Sequence, residues 1–110
     1  MHDRPKESDW KAFRRMVPEL RERYLRKVNR ELIGILHAEG SSPTEQFWDV
    51  EERIRKESKI LRDCLDGHSR SKMWMSVLLM YRYGMIGDED LDCYSDELRD
   101  YIEQLGRGRT

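Results

Sequence analysis

Two long helix-periodic stretches joined by a short linker constrain the fold of this chain more than any other feature. Apolar residues recur at helical spacing over about 18–39 and again over about 43–65. Gly40 supplies a helix stop, and the Ser-Pro-Thr-Glu sequence at 42–45 is a capping box with proline at the first helical position. Because the linker is so short, the two helices are predicted to return antiparallel as a long αα-hairpin.

The inner stripe of the second long helix is interrupted at Glu57 and Ser58. In an antiparallel hairpin these positions lie roughly opposite Arg26 and Lys27. A paired Glu57 would fix the register of the two helices, whereas an unpaired one would cost stability.

A short helix is predicted before the hairpin, over about 9–16. Ser8 is a suitable N-cap, and the apolar residues that follow it recur at helical spacing. Pro18 removes a backbone hydrogen bond and clashes with the preceding turn, so we expect a break or kink near Met16–Val17. Pro18 would then occupy the first turn of the next helix.

Two further helices are predicted after a turn at Gly67. The first spans about 70–83 and is closed by Gly84; the second spans about 89–105 and is capped by Asp88. Every connection is short, and no strand-like alternation or internal repeat occurs. The sequence therefore predicts an all-α antiparallel helical bundle.

The length and the charge balance indicate one domain over 1–110, with residues 1–7 and 107–110 expected to be disordered. The chain carries 22 acidic and 21 Lys or Arg residues, for a net charge of −1. Balanced charge is typical of long helices with ion-paired outer faces. General nucleic-acid binders are normally basic, so nucleic acid is not expected as a partner.

The sequence predicts a cytoplasmic protein without a membrane-spanning segment. The longest apolar run is far shorter than the 18 or so residues that a bilayer span needs. The N-terminal residues are polar rather than signal-like. The two cysteines, Cys64 and Cys93, are expected to be reduced thiols.

The segment from Met73 to Tyr81 is apolar on all sides, so a helix formed by it must be covered all round. Either the other helices surround it, or one face packs on a second subunit. The second alternative makes the segment a candidate interaction surface. Its residues would be Met73, Trp74, Val77, Met80 and Tyr81.

The turn before that segment is dense in polar side chains. Free amides at a helix start, two hydroxyls and nearby bases could hold a phosphate or carboxylate. The candidate anion-binding residues are His68, Ser69, Arg70 and Lys72. The alternative is that a serine caps the helix and the bases pair with the acidic last helix.

No sequence pattern points to an enzyme, a metal site or a cofactor. Cys64 and His68 lie four residues apart without the further ligands that zinc requires. The acidic run at 88–92 lacks the glycine and the final acid of a calcium-binding loop. We therefore predict no catalytic or metal-binding residues and no cofactor. The sequence gives no positive evidence for an enzyme, although the absence of motifs does not exclude one.

These features favour a small helical protein–protein interaction module that binds a protein partner or forms a homodimer. The alternative is a small anion- or nucleic-acid-binding regulator that uses the basic turn at 68–72.

Overall fold

The computed structural model describes residues 5–106, and within that range it contains helices and no strand. The α-helices are α1 (Glu7–Leu36), α2 (Pro43–Leu65), α3 (Met73–Arg82) and α4 (Asp96–Gly106). Two 3-10 helices, Arg70–Lys72 and Asp88–Cys93, precede α3 and α4. The predicted all-α bundle is confirmed: α1 packs on α2, α2 on α3, and α3 on α4.

The first helix runs through Pro18 without a break, so the predicted separate helix over 9–16 is wrong. A proline in a helix interior costs about 3 kcal/mol through the lost hydrogen bond and the ring clash. On both sides of Pro18, however, Phe13, Val17 and Leu20 are buried in the core. Each such side chain contributes about 1.5–3 kcal/mol by leaving water, and together they outweigh the proline.

The ordered chain begins earlier than the sequence predicted. Lys6, rather than Ser8, is the N-cap of α1. The Lys6 ammonium lies 3.3 Å from the Glu97 carboxylate, and Glu7 lies 3.1 Å from the Arg70 guanidinium. Helix α1 therefore begins at Glu7, within the segment 1–7 for which disorder was expected, while residues 1–4 and 107–110 lie outside the described range.

The turn of the hairpin is built as its local sequence predicted. The Ser42 hydroxyl accepts from the Glu45 amide at 3.1 Å, and the Glu45 carboxylate accepts from the Ser42 amide at 2.8 Å. The first helix ends at Leu36 rather than near residue 39, and Gly40 takes a positive φ of 87° in the turn. A residue with a Cβ would be strained at that φ.

The predicted helix over 89–105 is two elements in the structure. Asp88–Cys93 is a 3-10 helix, the chain is extended at Tyr94, and α4 starts at Asp96. Asp90, not Asp88, accepts from the first free amide, that of Gly87, at 2.8 Å. Likewise Arg70–Lys72 is 3-10, so the α-helical part of the predicted helix over 70–83 begins at Met73.

The core lies at one end of the hairpin. The last buried residue of α1 is Val28, and the first buried residue of α2 is Glu57. Residues 29–36 and 43–56, which we call the distal hairpin, therefore contain no buried residue. The elongated shape, 51 × 26 × 21 Å, agrees with a hairpin that extends beyond the bundle.

Candidate interaction surface

Five large apolar side chains of the distal hairpin are exposed to solvent. Between 46% and 60% of the surface of each is exposed. We call this set the hairpin patch. It consists of Ile33, Leu36, Phe47, Trp48 and Ile54. Isolated exposed apolar residues are normal on a protein surface, whereas several neighbouring ones mark an interaction site.

The middle of the patch is a groove between the two helices. It has a volume of about 580 Å³ and is lined by the side chains of Leu36, Phe47, Val50 and Ile54. Glu51 and Arg55 complete the lining. Leu36 comes from α1 and the other lining residues come from α2, so the antiparallel return of the chain creates the groove.

The aromatic pair at one end of the groove is preorganised. The rings of Phe47 and Trp48 meet edge to face, with centroids 4.9 Å apart and planes at 89°. Such a contact contributes about 0.5–1.5 kcal/mol beyond the burial of area. Rigid aromatic side chains lose little conformational entropy on binding, and aromatic residues are common energetic anchors of interfaces.

An ion pair flanks the groove. The Nη2 and Nε atoms of Arg55 donate to the two oxygens of the Glu51 carboxylate, at distances of 2.8 and 3.2 Å respectively. The two residues lie one helical turn apart on α2. The edge of the groove therefore carries one charge of each sign next to an apolar floor.

A polar cluster, buried at Tyr24 and Glu57, fixes the base of the distal hairpin. The Tyr24 hydroxyl donates to the Glu57 carboxylate at 2.6 Å, and the Arg53 Nε donates to its other oxygen at 2.8 Å. Arg53 also bonds to Glu31 across the hairpin. Of the two alternatives that the sequence left open, Glu57 is paired, and its partners are Tyr24 and Arg53 rather than Arg26 or Lys27. Burial, and next the hydrogen bond to Glu57, raise the pKa of Tyr24 well above its ordinary value.

The interaction surface predicted on the apolar helix lies inside the domain. Met73, Trp74, Val77 and Met80 are at most 8% exposed and pack in this chain's own core. Tyr81 is half-buried, and its hydroxyl donates to Asp88 at 2.8 Å. The other helices therefore surround α3, which is the first of the two alternatives that the sequence allowed. Four of the five predicted side chains are not accessible to a partner protein. Met75 is an exposed apolar residue of α3.

The residues predicted to bind an anion turn toward different protein groups. The His68 Nε2 lies 2.7 Å from the Cys64 carbonyl oxygen, and its ring packs edge-on against Phe13. Arg70 pairs with Glu7 and lies over the ring of Trp10. The Ser69 hydroxyl makes no capping bond and lies 3.4 Å from that of Ser71. Lys72 ends the 3-10 helix and is exposed.

Arg70 instead joins basic residues of α1. The guanidinium carbons of Arg14 and Arg70 lie 5.6 and 5.4 Å from the centroid of the Trp10 ring. Lys11 and Arg15 line the same shallow depression. The sequence offered the last helix as the alternative partner of the bases. Arg70 instead pairs with Glu7 of α1, whereas Arg82 donates to the Leu105 carbonyl oxygen of α4 at 2.7 Å.

Both cysteine thiols have pKa values above the ordinary value. Cys64 is fully buried, and burial raises its pKa to about 11. Cys93 is exposed, and desolvation also raises its pKa. Reactive cysteines need a lowered pKa, so neither residue is placed as a nucleophile. Within residues 5–106, no three His, Cys, Asp or Glu side chains are grouped as metal ligands.

No protein-family model, curated protein or solved structure matches this chain. No helix in the described range is both long and apolar enough to cross a bilayer.

Sequence reasoning missed the hairpin patch because it assigned the apolar stripes of both long helices to one inner face. Two signals were present. Phe47 and Trp48 are adjacent, so they lie about 100° apart around the helix and cannot both face α1. Ile33 and Leu36 likewise made the α1 stripe wider than one helix contact requires.

Proposed function

We propose that this chain is a small helical protein–protein interaction module that binds its partner through the hairpin patch. The observation that supports this proposal is the position of five exposed apolar side chains on a part of the hairpin outside the core. No residue of the distal hairpin is fully buried, although Leu32 packs partly against the core. Most of its apolar surface therefore adds little to the stability of the monomer.

The composition of the patch supports a protein as the ligand. It combines two aromatic anchors, three aliphatic side chains and an ion pair at the edge. An apolar centre with a polar rim is the usual anatomy of a protein interface. The groove is open to solvent, and Glu51 and Arg55 are the only polar side chains that line it. It therefore lacks the convergent polar groups that are typical of a small-molecule site.

We also propose a cytoplasmic location. Cys64 and Cys93 are free thiols, and reduced thiols are typical of proteins kept in a reducing compartment.

Quantitative co-purification from cells tests the proposed function. A double variant with Phe47→Ser and Trp48→Ser removes the aromatic anchors, and Met75→Ser removes an exposed apolar side chain outside the patch. We expect at least one protein, which can be the chain itself, to co-purify with the wild type and with Met75→Ser but not with the double variant. If the double variant retains every protein that the wild type binds, the proposal is wrong.

A second candidate is anion binding by the basic depression around Trp10. The specific observation in its favour is that Lys11, Arg14, Arg15 and Arg70 meet there against one acid, Glu7. Stacking on the indole also restrains two of the guanidinium groups.

Titration with inorganic pyrophosphate and with short oligonucleotides at low salt tests this candidate. Binding should weaken steeply with salt and should be lost when Arg14 and Arg70 are both replaced by Ala. No binding at low salt would remove it.

A further inference from the structure

The hairpin patch lies on a pair of antiparallel helices whose apolar groove is not covered by another element of the described chain. Helical bundles close such a layer by packing a second pair of helices on the first. What covers the groove can be inferred from the area, the shape and the charges of the patch.

The area is what a modest two-fold interface needs. A large apolar or aromatic side chain has a surface of about 150–250 Å². With about half of each exposed, the patch offers about 500 Å² of apolar side chain. Two copies packed on each other would bury about 1,000 Å² of it together, which meets the lower limit for a specific interface.

The shape of the patch is complementary to itself. A two-fold interface uses the same surface on both subunits, so that surface must contain both a projection and the depression that receives it. Phe47 and Trp48 project at the turn end of α2, with 60% and 57% of their surfaces exposed. Phe47 also forms one wall of the groove together with Val50 and Ile54, so the depression begins at the projecting pair.

The charges at the edge are also self-complementary. Glu51 and Arg55 lie one helical turn apart on α2, with Ile54 between them in the sequence. If a two-fold axis crosses α2 near residue 53, an antiparallel copy brings Arg55 next to the first copy's Glu51. The net charge of −1 means that two copies repel each other little at long range.

We propose that a second copy of this chain covers the hairpin patch, so that two hairpins pack across a two-fold axis as a four-helix layer. This inference rests on the proposed function and names the partner for the same surface. With the axis near residue 53, the Phe47–Trp48 pair of each copy packs just beyond the Ile54–Arg55 end of the other copy's groove. The Glu51–Arg55 pairs exchange between copies, which sets the antiparallel orientation.

Sedimentation velocity measures the association over protein concentrations from low micromolar to about 0.2 mM. This range is chosen because a small interface is expected to have modest affinity. The wild type should shift from monomer to dimer as concentration rises. Phe47→Ser should weaken dimerisation by about tenfold or more, and Met75→Ser by less than about twofold. A wild type that stays monomeric over this range overturns the proposal, and so does equal weakening by the two variants.

Charge exchange tests whether the contact is two-fold. Glu51→Arg leaves two bases at the edge of each copy, and Arg55→Glu leaves two acids, so each variant alone should dimerise at least about fivefold more weakly. An equimolar mixture of the two variants should recover dimers, because each copy then supplies the sign that the other lacks. A mixture that associates no better than its components overturns the proposal.

The two proposals can fail separately. A monomeric wild type that still binds a different protein through Phe47 and Trp48 overturns the second-copy inference and leaves the proposed function intact. A monomeric wild type whose bound proteins do not depend on those residues overturns both. Circular dichroism should show the wild-type helix content for every variant, because all the replaced side chains are exposed or half-exposed.

Discussion

The Asp9 carboxylate in the first turn of α1 accepts two hydrogen bonds from Ser95, the residue that precedes α4. The Ser95 amide donates at 2.8 Å and its hydroxyl at 2.6 Å. Asp9 is 1% exposed, and the two residues are 86 positions apart in the chain. This contact joins the start of the first helix to the start of the last one, and thereby closes the bundle.

Replacing Asp9 by Ala should lower the free energy of unfolding by about 2–4 kcal/mol. The variant leaves the Ser95 amide and hydroxyl without their acceptor in a part-buried position, and hydrogen bonds to a charged group are worth about 1.5–3 kcal/mol each. Urea unfolding followed by circular dichroism measures the change. Asp49→Ala on the exposed face of α2 is the control and should change stability by less than about 0.5 kcal/mol. Equal effects of the two variants would contradict the assigned role.

Replacing Pro18 by Ala should stabilise the protein by about 1–2 kcal/mol. The new amide can donate within a helix that is already continuous, and the exposed ring of Pro18 contributes no core packing. The greater freedom of the unfolded chain offsets part of the roughly 3 kcal/mol that proline costs. Thermal and urea unfolding measure the gain. A destabilised variant would show that the α1 conformation depends on the proline.

A double-mutant cycle on Tyr24 and Glu57 should give a coupling energy of about 1–2 kcal/mol. Glu57→Ala should destabilise the fold by about 3 kcal/mol, because it leaves the Arg53 guanidinium and the Tyr24 hydroxyl without their shared acceptor. Tyr24→Phe should cost about 1 kcal/mol, since Arg53 still pairs with Glu57. If the effects of the two single variants on the free energy of unfolding were additive, Tyr24 and Glu57 would not act as a unit.

Stability should fall as the pH rises above about 9. Burial raises the pKa of Cys64 to about 11 and raises those of Tyr24 and Tyr94, so these groups lose protons more readily in the unfolded chain. Their contribution is complete below the unfolded pKa values and is lost as the pH approaches the folded ones. Thermal unfolding between pH 7 and about 11 measures the slope, and Cys64→Val should make the slope shallower just above pH 9. An unchanged slope in that variant would contradict the assignment to Cys64.

The αα-hairpin and its turn could be predicted from the sequence because their determinants are local. The hydroxyl of Ser42 and the carboxylate of Glu45 are three residues apart, and their reciprocal bonds form wherever a helix starts there. Gly40, Gly67 and Gly84 have positive φ at the turns where the sequence placed them. Helical spacing of apolar residues likewise located both long helices.

The continuity of α1, the division of the last helix and the hairpin patch depended on tertiary structure. Pro18 sits inside a helix because core residues from distant segments pack on both sides of it, and α4 begins at Asp96 because Asp9 holds Ser95. The sequence showed that Ile33, Leu36, Phe47, Trp48 and Ile54 lie on helices, but periodicity alone cannot say which apolar face another element will cover. That depends on where α3 lies, and α3 packs at the end of the hairpin where Cys64 and Leu65 are buried. Local hydrogen bonding thus determined the helices, and long-range packing determined which surface remained free for a partner.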